Sequence, residues 1–339
     1  MSLIKYIIKR LLSMIPVLFG VLLFTFILAR MMPMDPVLAY LPPKAGRDAY
    51  DRMYEALGLN EPLWIQFLIY MKDLFTGNWG YSLSRGTKGI PVWELIWQRM
   101  PRTIDLTIFS IIIASFIGVK GGVLSSKYRN KWKDTTIRTV SLIGVSIPVF
   151  WLGIIMQYFF SYRIPLFPNQ GYLNMDYLDP PYTTGFIIID GIIAGEWYKV
   201  GDYLLHIAMP VFCLAFITIA SITRQTRSSM LEVLQQDYIR TARAKGCREK
   251  EVISKHALKN ALIPTVTVIG LNVGALLSGA ILTETTFNLN AIGMLLLTAI
   301  QAADYNLINA IVFMTTMIFV IVNLLVDIIY AYIDPRIKY

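Results

Sequence analysis

The sequence predicts an all-α protein that crosses a membrane six times, and three observations support this fold class. The chain has 339 residues, of which 55% are hydrophobic and only 16% are charged. Soluble domains carry about 25% charged residues, so this chain is poor in charge for a protein surrounded by water. The mean hydropathy of +0.55 agrees with a lipid environment. Several apolar runs also reach the ~20 residues that a helix needs to cross a bilayer.

Six apolar segments are expected as transmembrane helices, because helices satisfy their own backbone hydrogen bonds in lipid. The first contains an uncharged run, Leu11–Ala29, that exceeds the 7–15 residues of a secretion signal, so we expect it to be retained. The second is the least regular, since Asp105 and Lys120 lie near its ends. The six segments are Leu11–Met31, Thr103–Leu124, Ile137–Phe160, Tyr203–Thr223, Ala261–Thr283 and Leu307–Tyr330.

The distribution of basic residues predicts that both termini lie in the cytoplasm. Segment 125–136 carries four lysines and arginines and segment 224–259 carries nine, whereas segment 161–202 carries two. Short loops rich in these residues stay on the cytoplasmic side. The net charge of +9 is concentrated in such loops, so we expect membrane lipid as their partner and no nucleic acid.

This topology divides the chain into three regions. Residues 1–32 form an N-terminal tail and the first helix, and residues 33–102 form an extracytoplasmic region that we expect to be partly helical. Residues 103–339 form the transmembrane core, which includes a cytoplasmic loop at 224–260. Polar residues near the outer ends of the spans, His206 and Glu284 among them, are expected at the membrane interface, where polarity is less costly.

The loop at 224–260 is too polar to cross the membrane and is patterned like a helix–turn–helix. Gly246 is predicted to end the first helix in a left-handed C-cap, and a second helical pattern begins at Val252. Pro264 is expected in the first turn of the fifth span, where its missing N–H costs little. Alternatively, the loop is an ordinary basic segment that only fixes the topology. Four residues are spaced as one helical face: Leu231, Leu234, Tyr238 and Ala242.

This loop resembles the "EAA" coupling loop of ATP-binding-cassette importer permeases, in the form typical of the dipeptide, oligopeptide and nickel branch. Asp237–Gly246 and His256–Pro264 match the pattern of that branch nearly throughout. The Glu-Ala-Ala triplet of the wider family is replaced here by Arg240-Thr241-Ala242, a departure that is usual in the branch. Other segments that resemble the branch are Leu57–Pro62, Gly77–Ser82, Glu284–Phe287, Asn323–Asp327 and Asp334–Arg336.

The resemblance implies a transport subunit and not an enzyme. Such permeases form a pore with a second, similar permease subunit, receive cargo from an extracytoplasmic substrate-binding protein, and are driven by two cytoplasmic ATPase subunits that bind ATP and Mg. They lie in the plasma (inner) membrane of a prokaryote. The ATPase-docking residues that the resemblance assigns are Asp237, Tyr238, Arg240, Thr241, Ala242, Arg243, Ala244, Lys245 and Gly246.

No cofactor and no metal site are expected in this chain itself. The sequence contains no G-x-x-x-x-G-K-[ST] phosphate loop, so ATP hydrolysis is expected in separate subunits. The two cysteines, Cys213 and Cys247, lack metal-ligand spacing and are expected as free thiols.

Three residues are candidates for lining the translocation path. They are Asn272 and Gly274 in the fifth span and Pro148 in the third, which is expected either to kink that span or only to bend it around a neighbour. Small residues in membrane helices more often mark close packing, so Gly274 has that second interpretation. Peptides are the leading cargo, with nickel or oligosaccharides as alternatives. An ion-driven secondary transporter and a non-transporting scaffold are the other functional hypotheses, although inverted repeats and midplane acidic residues are not evident.

Overall fold

The computed structural model describes residues 3–31, 35–41, 44–84 and 86–333, and these ranges fold as helices without a β-strand. The all-α prediction is confirmed. The C-terminal motif Asp334–Arg336 lies outside the described residues. The helices are α1 Leu3–Met31, α2 Pro36–Tyr40, α3 Arg47–Ala56, α4 Leu63–Thr76, α5 Val92–Lys127, α6 Trp132–Ser146, α7 Val149–Gln157, α8 Ile187–Ile193, α9 Trp197–Val233, α10 Asp237–Ala244, α11 Glu249–Glu251, α12 Leu258–Gly279, α13 Ile281–Thr286, α14 Ile292–Gln301 and α15 Tyr305–Ile333.

Five helices in the described ranges are long and apolar enough to cross a membrane. They are α1, α5, α9, the helix that runs through α11 and α12, and α15. The predicted third span, Ile137–Phe160, is not one helix. Its two halves, Trp132–Ser146 and Val149–Arg163, are bent by 99° at the break, so the described residues contain up to six candidate spans if this bent pair counts as one.

Pro148 lies at the bend between α6 and α7. It has no N–H to donate to the helix and disfavours helical geometry in the residue before it, and Ile147 is accordingly extended (φ −83°, ψ 125°). A kink or a gentler bend at Pro148 was predicted, and the structure shows a break in the helix. The last turn of the second half, Tyr158–Arg163, is a π-helix.

Close approach of α5 and α9 forms the centre of the bundle. A Cβ atom added at Gly122 would lie 2.5 Å from the Cβ of Thr226, so only glycine permits this separation. Gly274 of α12 packs in the same manner against Phe319 of α15. Small residues thus allow the helices to approach without a hydrophobic driving force between them.

The region between the first two spans is helical in part and is fastened to the core. Side chains of α1, α4 and α15 share a small apolar cluster that includes Leu22, Leu74 and Phe313. The predicted boundary at residue 102 falls inside a helix, because α5 already begins at Val92. The extracytoplasmic location of this region stays a prediction.

Two polar residues that were expected at the membrane interface are buried among the helices; their place at that interface stays a prediction. Glu284 is fully buried, and its carboxylate accepts hydrogen bonds from Thr103 Oγ1 (2.8 Å) and from the backbone N–H groups of Gly293 (2.5 Å) and Met294 (3.2 Å). It therefore joins α5 to the first turn of α14. His206 is also buried, with Nδ1 2.8 Å from the carbonyl oxygen of Asp202.

Candidate functional site

The predicted loop at 224–260 is a short helix held between two long ones. α9 continues past the expected end of the fourth span at Thr223 and stops only at Val233. α10 follows, and the next helix starts at Glu249 and runs without interruption into α12 through a π-helical segment. Pro264 was expected in the first turn of a helix, but it lies in the interior of one.

The predicted single helical face from Leu231 to Ala242 is wrong because the chain turns between α9 and α10. Residues Leu234–Gln236 are not helical, so the two ends of that face belong to different helices. The buried face of α10 consists instead of Ile239, which is fully buried, and Ala242, which is 8% exposed.

An apolar cluster anchors α10 against the neighbouring helices. Its members come from α9, from α10 and from the helix that begins at Glu249. Ala242 lies within it, so its side chain packs inside the chain and is not available to a partner in this conformation. The buried members are Met230, Ile239, Ala242, Val252, Ile253, Ala257 and Ala261.

The end of α10 is a Schellman motif centred on Gly246, which confirms the predicted left-handed C-cap. Gly246 has φ +80°, a conformation that costs other L-residues about 1–2 kcal/mol. The N–H of Cys247 donates to the carbonyl oxygen of Ala242 (3.2 Å), and the N–H of Gly246 donates to that of Arg243 (3.0 Å). This motif reverses the chain sharply before the next helix.

The outer face of α10 is exposed and mainly charged. The side chain of Asp237 is 96% exposed and lies 3.4 Å from Nη1 of Arg240. Arg243 donates two hydrogen bonds to the carboxylate of Glu249, from Nε (3.1 Å) and Nη2 (2.8 Å). The remaining predicted docking residues, Tyr238, Thr241, Ala244, Lys245 and Gly246, are also exposed.

α10 thus presents an exposed, mainly charged surface on a helix that is anchored by its apolar side. Because Gly246 and the apolar cluster fix its backbone, the exposed side chains can move together as one rigid element. No group of histidine, cysteine, aspartate and glutamate residues suited to a metal ion occurs in the described part of the chain. Both cysteines are free thiols.

A buried ion pair that sequence reasoning missed ties α9 to the bent span. Asp134 at the start of α6 is fully buried and accepts hydrogen bonds from Arg227 Nε (2.7 Å) and Nη2 (2.8 Å). Ser125 Oγ (2.5 Å) and the N–H of Asn130 (2.9 Å) also donate hydrogen bonds to the Asp134 carboxylate. The sequence offered one hint of this ion pair, because Asp134 is the single acidic residue beside four basic residues in segment 125–136.

The three path candidates occupy separate structural settings. Gly274 contacts Phe319, which supports its packing interpretation. Asn272 Nδ2 donates to the carbonyl oxygen of Val268 in the preceding turn (2.7 Å). Pro148 lies at the bend of the third span. A role for any of them in lining a path stays a prediction.

Comparison with known families assigns the chain to a class of transport subunits. Residues 110–339 match the family described as binding-protein-dependent transport system inner membrane component. Residues 3–107 match the corresponding N-terminal family of such membrane components. The chain belongs to this family. The importer permease resemblance in the sequence is thereby confirmed, and the chain is a multi-pass membrane protein.

Individual relatives of this permease are similar over their whole length. A dipeptide transport system permease protein of Alkalihalophilus pseudofirmus is 46% identical, over 99% of this chain and 100% of the relative. The dipeptide transport system permease protein of Escherichia coli K12 is 40% identical, over 99% of both chains. An oligopeptide transport system permease protein of Bacillus subtilis is 37% identical, over 98% of this chain and 99% of the relative.

Proposed function

We propose that this permease forms half of the translocation pore of an ATP-driven, binding-protein-dependent importer of peptides. The observation that supports this most directly is full-length similarity to permeases named for dipeptide and oligopeptide transport. The second half of the pore is a similar permease subunit, and an extracytoplasmic binding protein delivers the peptide. The membrane is the plasma membrane of a prokaryote, with both termini in the cytoplasm, as the placement of basic residues favours.

The proposed role of α10 is to dock with one of two cytoplasmic ATPase subunits, which bind ATP and Mg. The exposed residues of α10 supply the contact surface. Ala242 contributes indirectly, because it packs in the apolar cluster that holds the helix in place. Exposed charges on a rigid helix suit recognition by a complementary surface, because their geometry is fixed before binding. Asp237, Arg240 and Arg243 are the charged residues best placed for this contact.

Movement of α10 would pass to the membrane spans along two connections. α9 is fastened to the start of α6 by the pair of Arg227 and Asp134. The apolar cluster around Ile239 joins α10 to the helix that leads into α12. Closure of the ATPase subunits would thus shift α9, α6 and α12 together between two states, which is the two-state switching required for alternating access.

Uptake by the reconstituted importer tests this proposal. The complete complex is placed in proteoliposomes with its binding protein and a labelled dipeptide, with ATP inside the vesicles. We expect ATP-dependent uptake that Arg240→Glu abolishes. The matched control Arg129→Glu reverses an exposed charge in the other basic loop and should leave uptake intact. Uptake by this chain without ATPase subunits would contradict the proposal, and competition by nickel or oligosaccharide alone would contradict peptide cargo.

A further inference from the structure

A cavity of about 670 Å³ lies beside the first part of α5, far along the chain from α10. Its walls come from three parts of the chain: the start of α5, the segment 172–190 that includes α8, and Asn290 in the connection between α13 and α14. Sites for small molecules are concave and occupy about 300–1,000 Å³. The cavity therefore has the size of a small-molecule site.

Two arginines of α5 converge on Asn290 at this cavity. Arg99 Nε donates to the side-chain Oδ1 of Asn290 (2.8 Å), and Arg102 Nη1 donates to its backbone carbonyl oxygen (2.9 Å). The backbone of Asn290 has φ +49°, a left-handed conformation that asparagine adopts more readily than most residues. One residue thus holds two cations in place beside the cavity.

The charge of Arg102 is compensated within the chain, whereas that of Arg99 is not. Arg102 Nη2 lies 3.3 Å from Asp179 Oδ2, and its guanidinium carbon lies 3.7 Å from the ring centroid of Tyr172. In the part of the chain that the structure describes, Arg99 forms no ion pair, and its Nη1 is buried without a hydrogen-bond partner. Its Nη2 makes no hydrogen bond there and is not buried. Because a half-buried cation without a counter-ion attracts an anion, Arg99 Nη2 is suited to bind one in the cavity.

The remaining acids of the cavity restrict which anion fits. Asp190 accepts hydrogen bonds from the backbone N–H (2.7 Å) and Oγ1 (2.8 Å) of Thr184, and Glu94 accepts from Gln98 Nε2 (3.1 Å), so both are engaged away from Arg99. The lining contains three carboxylates and two guanidiniums, and nearby carboxylates disfavour a doubly charged ligand such as phosphate. A singly charged carboxylate fits better, and its planar group matches the guanidinium fork.

Exposed aromatic rings supply the apolar part of the lining. Trp93, Trp97 and Tyr182 line the cavity and are 56%, 46% and 57% exposed. The ring centroids of the two tryptophans are 6.5 Å apart. Such rings offer a large apolar surface to the groups next to a bound carboxylate. The cavity therefore suits a small molecule that joins a carboxylate to an apolar group.

We propose that this cavity binds the peptide cargo by its C-terminal carboxylate, which Arg99 holds while the last side chain of the peptide packs against Trp93 and Trp97. Every unmodified peptide has this carboxylate, so the site would accept many sequences. That the ligand is a peptide rests on the proposed function. The start of α5 is also the end of that helix predicted to be extracytoplasmic, the side from which imported cargo arrives.

Binding of alanyl-phenylalanine and of its C-terminal amide to the full chain in nanodiscs tests the proposal by calorimetry. The free peptide should bind at least about tenfold more tightly than the amide, the change expected for the loss of a hydrogen bond between charged groups. Arg99→Gln should weaken the free peptide to the affinity of the amide and leave the amide unchanged. The control Arg163→Gln removes an exposed arginine outside the cavity lining and should bind the free peptide like the wild type.

The comparison of the two peptides on the wild type does not depend on how well any variant folds. Equal affinities, no binding of either peptide, or stronger competition by inorganic phosphate than by acetate would overturn the proposal. Normal peptide binding by Arg99→Gln, with lost association of the peptide-free binding protein, would also overturn it and assign Arg99 to a protein contact.

ATP-dependent uptake by the wild-type importer, measured alongside, separates this proposal from the proposed function. Uptake together with equal affinities for peptide and amide would refute only the site at Arg99. Absence of uptake, with binding that still depends on the carboxylate and on Arg99, would refute the import function and leave the carboxylate site in place.

Discussion

Asp304 fastens the segment before α5 to the start of α15, and its replacement by alanine should release that segment. The carboxylate is fully buried. One oxygen, Oδ2, accepts hydrogen bonds from Ser82 Oγ (2.7 Å), the N–H of Leu83 (2.6 Å), and both the N–H (2.9 Å) and Oγ (3.0 Å) of Ser84. The other, Oδ1, accepts from the N–H of Leu307 (3.2 Å) at the first turn of α15. Asp304→Ala removes every one of these acceptors.

The loss of stability in Asp304→Ala can be estimated from the hydrogen-bond donors that lose their acceptor. A buried donor without an acceptor costs about 1–3 kcal/mol, and the donors here share one oxygen, so their costs are not independent. We expect a combined loss of about 3–5 kcal/mol from the stability of the segment. Every 1.4 kcal/mol is a factor of ten, so amide exchange through local opening should accelerate by at least about a hundredfold.

Hydrogen–deuterium exchange of the protein in nanodiscs measures this effect. Peptides that cover residues 80–92 should lose protection in Asp304→Ala, while peptides from the centres of α5 and α9 keep theirs. Asp176→Ala, at an exposed aspartate between α7 and α8, is the control and should change nothing in this segment. Wild-type exchange rates at Leu83 and Ser84 in Asp304→Ala would refute the reasoning, because both amides donate to that carboxylate.

Three further predictions follow from α10 and from α8. Ala242→Asp should place an unpaired carboxylate in the apolar cluster, destabilise α10 by about 3 kcal/mol or more, and increase trypsin cleavage at Arg243. Gly246→Ala should cost about 1–2 kcal/mol in thermal unfolding, since φ is +80° and space is available for the methyl group. Burial by itself would raise the pKa of Asp190, but hydrogen bonds from Thr184 and from the N–H groups of Gly185 and Thr183 lower it overall. The stability that ionised Asp190 adds to this segment is therefore present above the unfolded pKa and is lost as the pH falls through the lower folded pKa. Local opening measured by hydrogen–deuterium exchange at residues 183–190 should therefore increase in acid. The Asp190→Asn variant should not show this increase.

Local sequence patterns predicted the parts of the fold that depend on neighbouring residues. The apolar runs located α1, α5, α9, α12 and α15, because the length of a span is set by the bilayer. The left-handed cap at Gly246 was predictable for a similar reason, since glycine adopts positive φ without steric cost. The break at Pro148 was visible as a kink, but its 99° angle depends on packing that the sequence does not state.

Contacts between distant segments could not be predicted in this way. Asp304 and Ser82 are 222 residues apart, Glu284 and Thr103 are 181 apart, and Asp134 and Arg227 are 93 apart. Each acid lies near the end of a predicted span, and only for Glu284 did the sequence suggest a position, at the membrane interface. Only the assembled bundle shows that each is buried and hydrogen-bonded to a distant segment of the chain.

The same limit explains the wrong prediction of a single helical face from Leu231 to Ala242. The spacing of Ala242 from Leu231 suggested one continuous helix, and its resemblance to the coupling-loop pattern suggested a contact residue. The turn at Leu234–Gln236 rotates α10 so that Ala242 packs inward beside Ile239. A small residue in such a motif therefore has two possible reasons, close approach of a partner or close packing within the chain. The structure shows packing within the chain at Ala242, and a part for this residue in docking stays a prediction.

Co-purification from the native membrane tests docking at α10 most directly. The wild type, Ala244→Arg and the control Arg129→Glu are extracted in mild detergent, and the associated subunits are quantified. Ala244 is exposed on α10 outside the apolar cluster, so arginine adds bulk to the outer face without filling the interior. We predict that the wild type and Arg129→Glu retain two ATPase subunits and a second permease, and that Ala244→Arg retains only the permease. A wild type without ATPase subunits, or full retention by Ala244→Arg, would contradict docking at α10.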